Sequence, residues 1–134
     1  MFLLDTCVIS ESVKPRPDPA VERWMKFHSP LESFISVLSL GELHYGVART
    51  NDPRKEHELK RWIAEVERRF ASRIVVFDDI AARQWGYLRA VYPRAPTTDA
   101  QLAATALGHD LIFVTRNLKD FRFQGLAVVN PWDA

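Results

Sequence analysis

Only one cysteine, Cys7, occurs in the 134 residues, so no intramolecular disulfide can form. A solitary cysteine fits a reducing cytoplasm. An excess of one charge sign is also missing: 18 Lys and Arg against 17 Asp and Glu leave a formal net charge of +1. That balance excludes a whole-surface electrostatic grip on nucleic acid but leaves room for a local basic rim. No apolar run approaches the length of a membrane span, and Asp5 cuts the apolar start at 2–4. Neither a signal peptide nor a membrane segment is expected. Repeats, low-complexity tracts and linkers are lacking too. A chain of this length reads as one domain, residues 1–134.

What the chain does have is a 47% hydrophobic content, enough for a sizeable core. Short, nearly unbroken apolar runs recur at 2–4, 34–37, 74–77, 111–114 and 126–129. Strands buried on both faces read this way. Helical patterns lie between them, at 21–27, 53–70, 79–92 and 99–109. In the second, Leu59, Ile63, Val66 and Phe70 form an apolar stripe with charges on the other face. Trp24, Trp85 and Tyr87 fall on helical apolar patterns and are expected to pack. "KPRPDPA" (14–20) reads as a turn between helices, with Pro19 near a first helical turn. Strands alternating with helices predict an α/β fold: a three-layer α/β/α sandwich around a central, mainly parallel five-stranded sheet. Ligands of such sheets bind outside the carboxyl ends of the strands.

Asp5 ends the first apolar run, at that edge. A buried ionised carboxylate is costly without a partner, so Asp5 lies at the open end of its strand, faces something positive, or both. Comparable places hold Glu42, after the second strand; Asp99, at a helix start; and Asn117, after the run at 111–114, with Asp120 three residues on. Each has a plainer reading. Asp5 suits the N-cap of a helix beginning near Thr6. Ser39-x-x-Glu42 and Thr98-x-x-Gln101 match capping boxes. Asp99 in a first turn suits the helix dipole, and Asn117 suits the cap of a short helix. The joint pattern favours a site. Three carboxylates about 5 Å apart repel by roughly 3 kcal/mol per pair at an effective dielectric of 20. Hard divalent cations offset that cost, and an all-oxygen set favours magnesium or manganese over zinc. The four histidines show no zinc spacing, and His44 and His57 sit in charged, solvated patterns.

Taken in order, "FLLDTCVIS", "VLSLGELHYGV", "TTDAQLAATA" and "FVTRNLKDF" resemble a PIN-domain nuclease of the VapC toxin type, over essentially the whole chain. The ending "AVVNPW" is similar to the FitB-like branch. The resemblance implies a metal-dependent endoribonuclease, the toxin of a type II toxin–antitoxin pair, using Mg²⁺ or Mn²⁺ to activate water against RNA. Its principal acids fall on Asp5, Glu42 and Asp99. Its fourth position, often acidic, falls on Asn117, an amide, which weakens the case for a second metal ion. Asn117 is nevertheless expected to line the acidic pocket, with Asp120 at most behind it as a supporting or substrate-facing residue. Asp120 is the alternative for the fourth position. Cys7 replaces a common Asn and reads as packing. Thr6 and Thr115 flank the acids and can bond to carboxylates, water or phosphate. Arg116, Lys119 and Arg122 are candidate phosphate contacts, and Arg49 reads as a solvated charge. Implied partners are a cognate antitoxin, RNA and a second copy in a homodimer, within a larger toxin–antitoxin assembly. Part of helix 53–70 is a candidate antitoxin surface.

Two other classes stay open on the residues. One is a catalytically silent binding module of the same fold, kept open by Asn117 and opposed by Asp5, Glu42 and Asp99 together. The other is Asp-based phosphotransfer. A haloacid-dehalogenase-type site wants a second Asp where Cys7 stands, and a receiver wants a Lys after its last strand.

Overall fold

The computed structural model of the chain describes residues 1–133. Five strands form one sheet in the order β3-β2-β1-β4-β5, where β1 is Phe2–Leu4, β2 Ser33–Ser36, β3 Ile74–Val75, β4 Ile112–Val114 and β5 Val128–Val129. Every neighbouring pair is parallel, with Leu4 opposite both Ile35 and Val114. Six α-helices accompany them: α1 Thr6–Ser12, α2 Pro19–Phe27, α3 Val37–Arg49, α4 Pro53–Arg69, α5 Asp79–Val91 and α6 Thr97–Gly108. A 3-10 turn, Leu118–Phe121, follows β4. Among the described residues no helix is long and apolar enough to cross a membrane.

Handedness explains the layers. Parallel crossovers are right-handed, so the face on which a helix lands depends on the direction of travel along the sheet. From β1 to β2 to β3 the chain moves one way, and α1–α4 cover one face. It then crosses back past β1 to β4, and α5 and α6 cover the other. Alternation within each strand feeds both layers. Phe2, Leu4, Ile35 and Val114 pack with Val8, Trp24, Leu43, Ile63 and Val66. Leu3 and Phe113 pack with Leu88, Leu102 and Phe121 on the other side. Leu3 and Phe113 are fully buried, and each such side chain contributes roughly 1.5–3 kcal/mol. Helix α6 is apolar almost all round. Ala100, Ala103, Ala104 and Ala106 are completely buried, which lets it lie close to the sheet and to α5.

Strand order reverses between β1 and β4, which lie side by side. The crevice outside their carboxyl ends is the topological switch point where open α/β sheets place ligands. The three-layer parallel architecture read from the sequence is the one found. Elements are shifted by a residue or two, because the short strands end where helix caps begin. One packing expectation fails: Tyr87 is 60% exposed. The buried stripe of α5 runs through Ala81 and Leu88, with Trp85 packed beside it, and this turns Tyr87 outward.

Candidate active site

Asp5 leaves β1 at the switch point and is buried. Its backbone is extended, and its Oδ1 accepts the N–H of Thr6 at 2.8 Å, capping α1. The plain cap reading is therefore correct as far as it goes. The other oxygen has a second task. The hydroxyl of Thr115, one residue past β4 and fully buried, donates to Asp5 Oδ2 at 2.7 Å. Thr115 Oγ1 in turn accepts the N–H of Asn117 at 3.0 Å. A short relay thus ties the β1 exit to the β4 exit. Cys7 lies against it, with Sγ 3.7 Å from Asp5 Oδ2 and 3.8 Å from Thr115 Oγ1. Burial raises the Cys7 thiol pKa, and the nearby Asp5 carboxylate adds to the rise. A thiol in that state is a packing and hydrogen-bonding group, not a nucleophile.

Neither capping box exists. Ser36 caps α3, its Oγ accepting the N–H of Leu38 at 3.0 Å, so Ser39 is already inside the helix and buried. Glu42 is left without a capping task. Helix α6 begins at Thr97 after Pro96 and has no side-chain cap bond, so Asp99 occupies its first turn alone. Both carboxyls titrate above their ordinary range. For Glu42 the causes are loss of solvent around the carboxyl, then the charges of Asp5 and Asp99. For Asp99 they are loss of solvent, then Asp120, then Asp5. The residue Glu42 as a whole is exposed, so its desolvation is confined to the carboxyl end.

Asp120 was expected at most behind the pocket, with Asn117 lining it. Both residues are exposed, and among the neighbouring charges Asp120 bears on Asp99 more than Asp5 does. The reason is the 3-10 turn. The N–H of Asp120 closes the turn on Asn117 O at 3.0 Å, and the turn packs against α6. Asn117 is exposed and its side chain makes no cap bond.

Asp99 thus feels Asp120 and Asp5, and Glu42 feels Asp5 and Asp99. Among the described residues, none of Asp5, Glu42, Asp99 and Asp120 is paired with a Lys, Arg or His. The donor set is all oxygen, which suits a hard divalent cation. They do not yet converge: no three carboxylate, histidine or cysteine side chains among the described residues are close enough to hold a metal as they stand.

Of the candidate cations, Arg116 lies over the ring of Trp132, 5.0 Å from its centroid, and Arg49 over Tyr45 at 5.3 Å. Thr6 follows Asp5 as the N–H donor to it. Two clefts open on the acids. One, about 450 Å³, runs from Glu42 between α3 and α4 over Leu43, Leu59 and Trp62. The other, about 500 Å³, runs from Asp120 between the α5–α6 turn and the 3-10 turn. Arg94 lines the second cleft, and sequence reasoning missed it. The "YPRAP" turn that precedes the Asp99 motif was the available signal.

The PIN domain family model matches residues 2–125 of this chain. The chain belongs to the PIN-domain family, VapC type. This PIN domain is 33% identical to Toxin FitB of Neisseria gonorrhoeae, over 98% of this chain and 99% of the relative. It is also 33% identical to VapC ribonuclease Y4jK of Sinorhizobium fredii, over 99% of each. The solved structure of FitAcB from Neisseria gonorrhoeae superposes with a TM-score of 0.89 at 32% identity, covering all of both chains. The PIN-domain match leaves no ground for the Asp-based phosphotransfer reading.

Proposed function

We propose that this PIN domain is a divalent-metal-dependent endoribonuclease, the toxin of a toxin–antitoxin pair. The observation that carries the reading is the set of four acids without cation partners at the switch point of a PIN fold. Asp5, Glu42 and Asp99 would hold the ion, with Asp120 as the fourth acid in place of Asn117. A bound Mg²⁺ or Mn²⁺ would supply the positive charge that lets acids approach a phosphodiester and makes water a better nucleophile. The protein's own residues do the remainder. Thr115 and the Thr6 N–H fix the Asp5 carboxylate and leave its outward lone pairs free. Desolvation of Glu42 and Asp99 raises their affinity for a proton in the metal-free chain, so ion binding must release any proton held there. Arg116, set on Trp132, contributes positive charge beside the β4 exit.

The same reading extends to partners. Structures titled FitAcB, and a toxin-antitoxin complex from Klebsiella pneumoniae, are among the solved relatives. We assign this chain an antitoxin that occupies the helix-walled cleft beside Glu42, self-association as a homodimer, and a cytoplasmic site of action. The test is incubation of antitoxin-free protein with total RNA, with Mn²⁺ or with EDTA, followed by mapping of the cut ends. Cleavage confined to the Mn²⁺ sample, and lost in Asp99→Asn, is the expected result. RNA left intact with Mn²⁺, or cut equally by Asp99→Asn, would overturn the reading.

A further inference from the structure

The cleft that opens on Asp120 has a composition that the acid chemistry does not explain. Arg94 stands in the α5–α6 turn, and Lys119 and Arg122 stand in and just after the 3-10 turn. All three are exposed, and among the described residues none of them forms an ion pair. Exposed bases elsewhere are often tied along their own helices, as Lys26 is to Glu22, Lys60 to Glu56 and Arg83 to Asp79. Other exposed bases, such as Arg49 and Lys55, are also without an ion pair among the described residues. What sets this cleft apart is three such cations set round aromatic and proline side chains, in a chain whose net charge is only +1. The wall between them is aromatic, and the Tyr92 ring in it is held at both ends. Tyr92 packs edge-on against Phe123, centroids 5.1 Å apart, and its hydroxyl accepts the Gln124 N–H at 2.9 Å. Pro96 continues the apolar surface toward the start of α6, two residues before the Asp99 turn position Thr98.

Cations on a rim with a fixed aromatic below them suit a single nucleic-acid strand, whose phosphates take the charge and whose bases take the flat surface. A volume of about 500 Å³ holds about one nucleotide at a time and no duplex. We propose that this cleft is the track for the RNA strand flanking the cut bond, with phosphates on Arg94, Lys119 and Arg122 and a base against Tyr92. It rests on the ribonuclease reading and adds to it where the substrate runs. Asp120 is the one acid in the lining. It marks the point where the track meets the acids.

The test uses a fluorescein-labelled single-stranded RNA of mixed sequence. Binding is read by anisotropy in EDTA across a salt series, and cleavage is read separately with Mn²⁺. Arg94→Ala/Arg122→Ala should weaken binding by about tenfold or more, and should lower the slope of log affinity against log salt by about 0.7 for each contact removed. In cleavage the same variant should raise KM while kcat stays within about twofold. Tyr92→Phe keeps the ring and should bind like the wild type, whereas Tyr92→Ser should weaken binding at every salt concentration. Unchanged affinity and slope in the arginine variant would overturn the track. So would poly-glutamate competing as well as RNA at equal charge, which would make the cleft a groove for acidic protein. Wild-type protein that binds the strand but leaves it uncut with Mn²⁺ would overturn the nuclease reading while supporting the track.

Discussion

The cleft that contains Glu42 and the cleft that contains Asp120 are similar in size, about 450 and 500 Å³, and differ in what builds their walls. The cleft ending on Glu42 lies between two long helices and has an aliphatic and indole floor of Leu43, Leu59, Trp62 and Ile63. Such a groove suits the apolar face of another protein's segment. The cleft ending on Asp120 lies between two turns and is lined by two aromatics, two prolines and three cations. Cations alone do not separate them, since Arg49 and Lys55 rim the first. The floor and the wall geometry do. Each cleft ends on a different acid, Glu42 in the first and Asp120 in the second.

The comparison breaks first at the acids. Loss of an outer partner of a metal ligand typically costs 10–100-fold, so loss of a direct ligand should cost more. Asp99→Asn is expected to lower cleavage at least about a hundredfold in a steady-state RNA assay, with little change in metal-free Tm. Thr115→Val comes next. It removes the donor to Asp5 and the acceptor for Asn117 N–H, and should cost about 10–100-fold in cleavage. Its stability loss, read by urea unfolding, should be about 1–3 kcal/mol. A smaller effect is expected in Tm against pH with EDTA present. Glu42 and Asp99 lie above their ordinary values of 4.5 and 3.8 in the folded chain. As pH falls through their raised values the folded state takes up protons first, so these groups add stability on mild acidification and withdraw it as pH rises. Glu11 and Asp78 lie below their ordinary values, held mainly by Lys14 and by the Ala81 N–H, and lose their contribution as pH falls. Glu42→Gln/Asp99→Asn should therefore erase the acid-side gain and keep the loss at lower pH. The smallest effect belongs to the helix-walled cleft: Arg49→Ala/Lys55→Ala should leave RNA affinity within about twofold, against the tenfold expected for Arg94→Ala/Arg122→Ala.

Much of the fold was legible because buried parallel strands carry an unmistakable pattern. The runs at 2–4 and 111–114 become β1 and β4 nearly as written, and Asp5 follows the first of them. Helix 53–70 was legible from its stripe, with Ile63, Val66 and Phe70 buried as expected. Caps were not. Ser39-x-x-Glu42 has the right spacing for a capping box, but the helix starts earlier, at a serine closer to the strand. Nothing local distinguishes Ser36 from Ser39; the end of β2 decides it. The geometry around the fourth position was illegible for a related reason. An α-helical reach does not apply to Asp120, which lies in a 3-10 turn, and its charge is felt at Asp99. The Thr115–Asp5 bond links residues 110 apart in sequence, and only the strand order makes them neighbours. Tyr87 was assigned to the core on a one-residue error of helical phase, which Leu88 corrects.

The central claim is that the unpartnered acids form a divalent-cation site, and calorimetric titration of Mn²⁺ into the antitoxin-free protein tests it most directly. The wild type should bind Mn²⁺, and more tightly as pH rises, since protons compete for Glu42 and Asp99 more strongly than for ordinary carboxyls. Asp99→Asn should bind at least about tenfold more weakly. No binding to the wild type, or equal binding by Asp99→Asn, would contradict the account and leave Asp5 as a helix cap at the end of a buried strand.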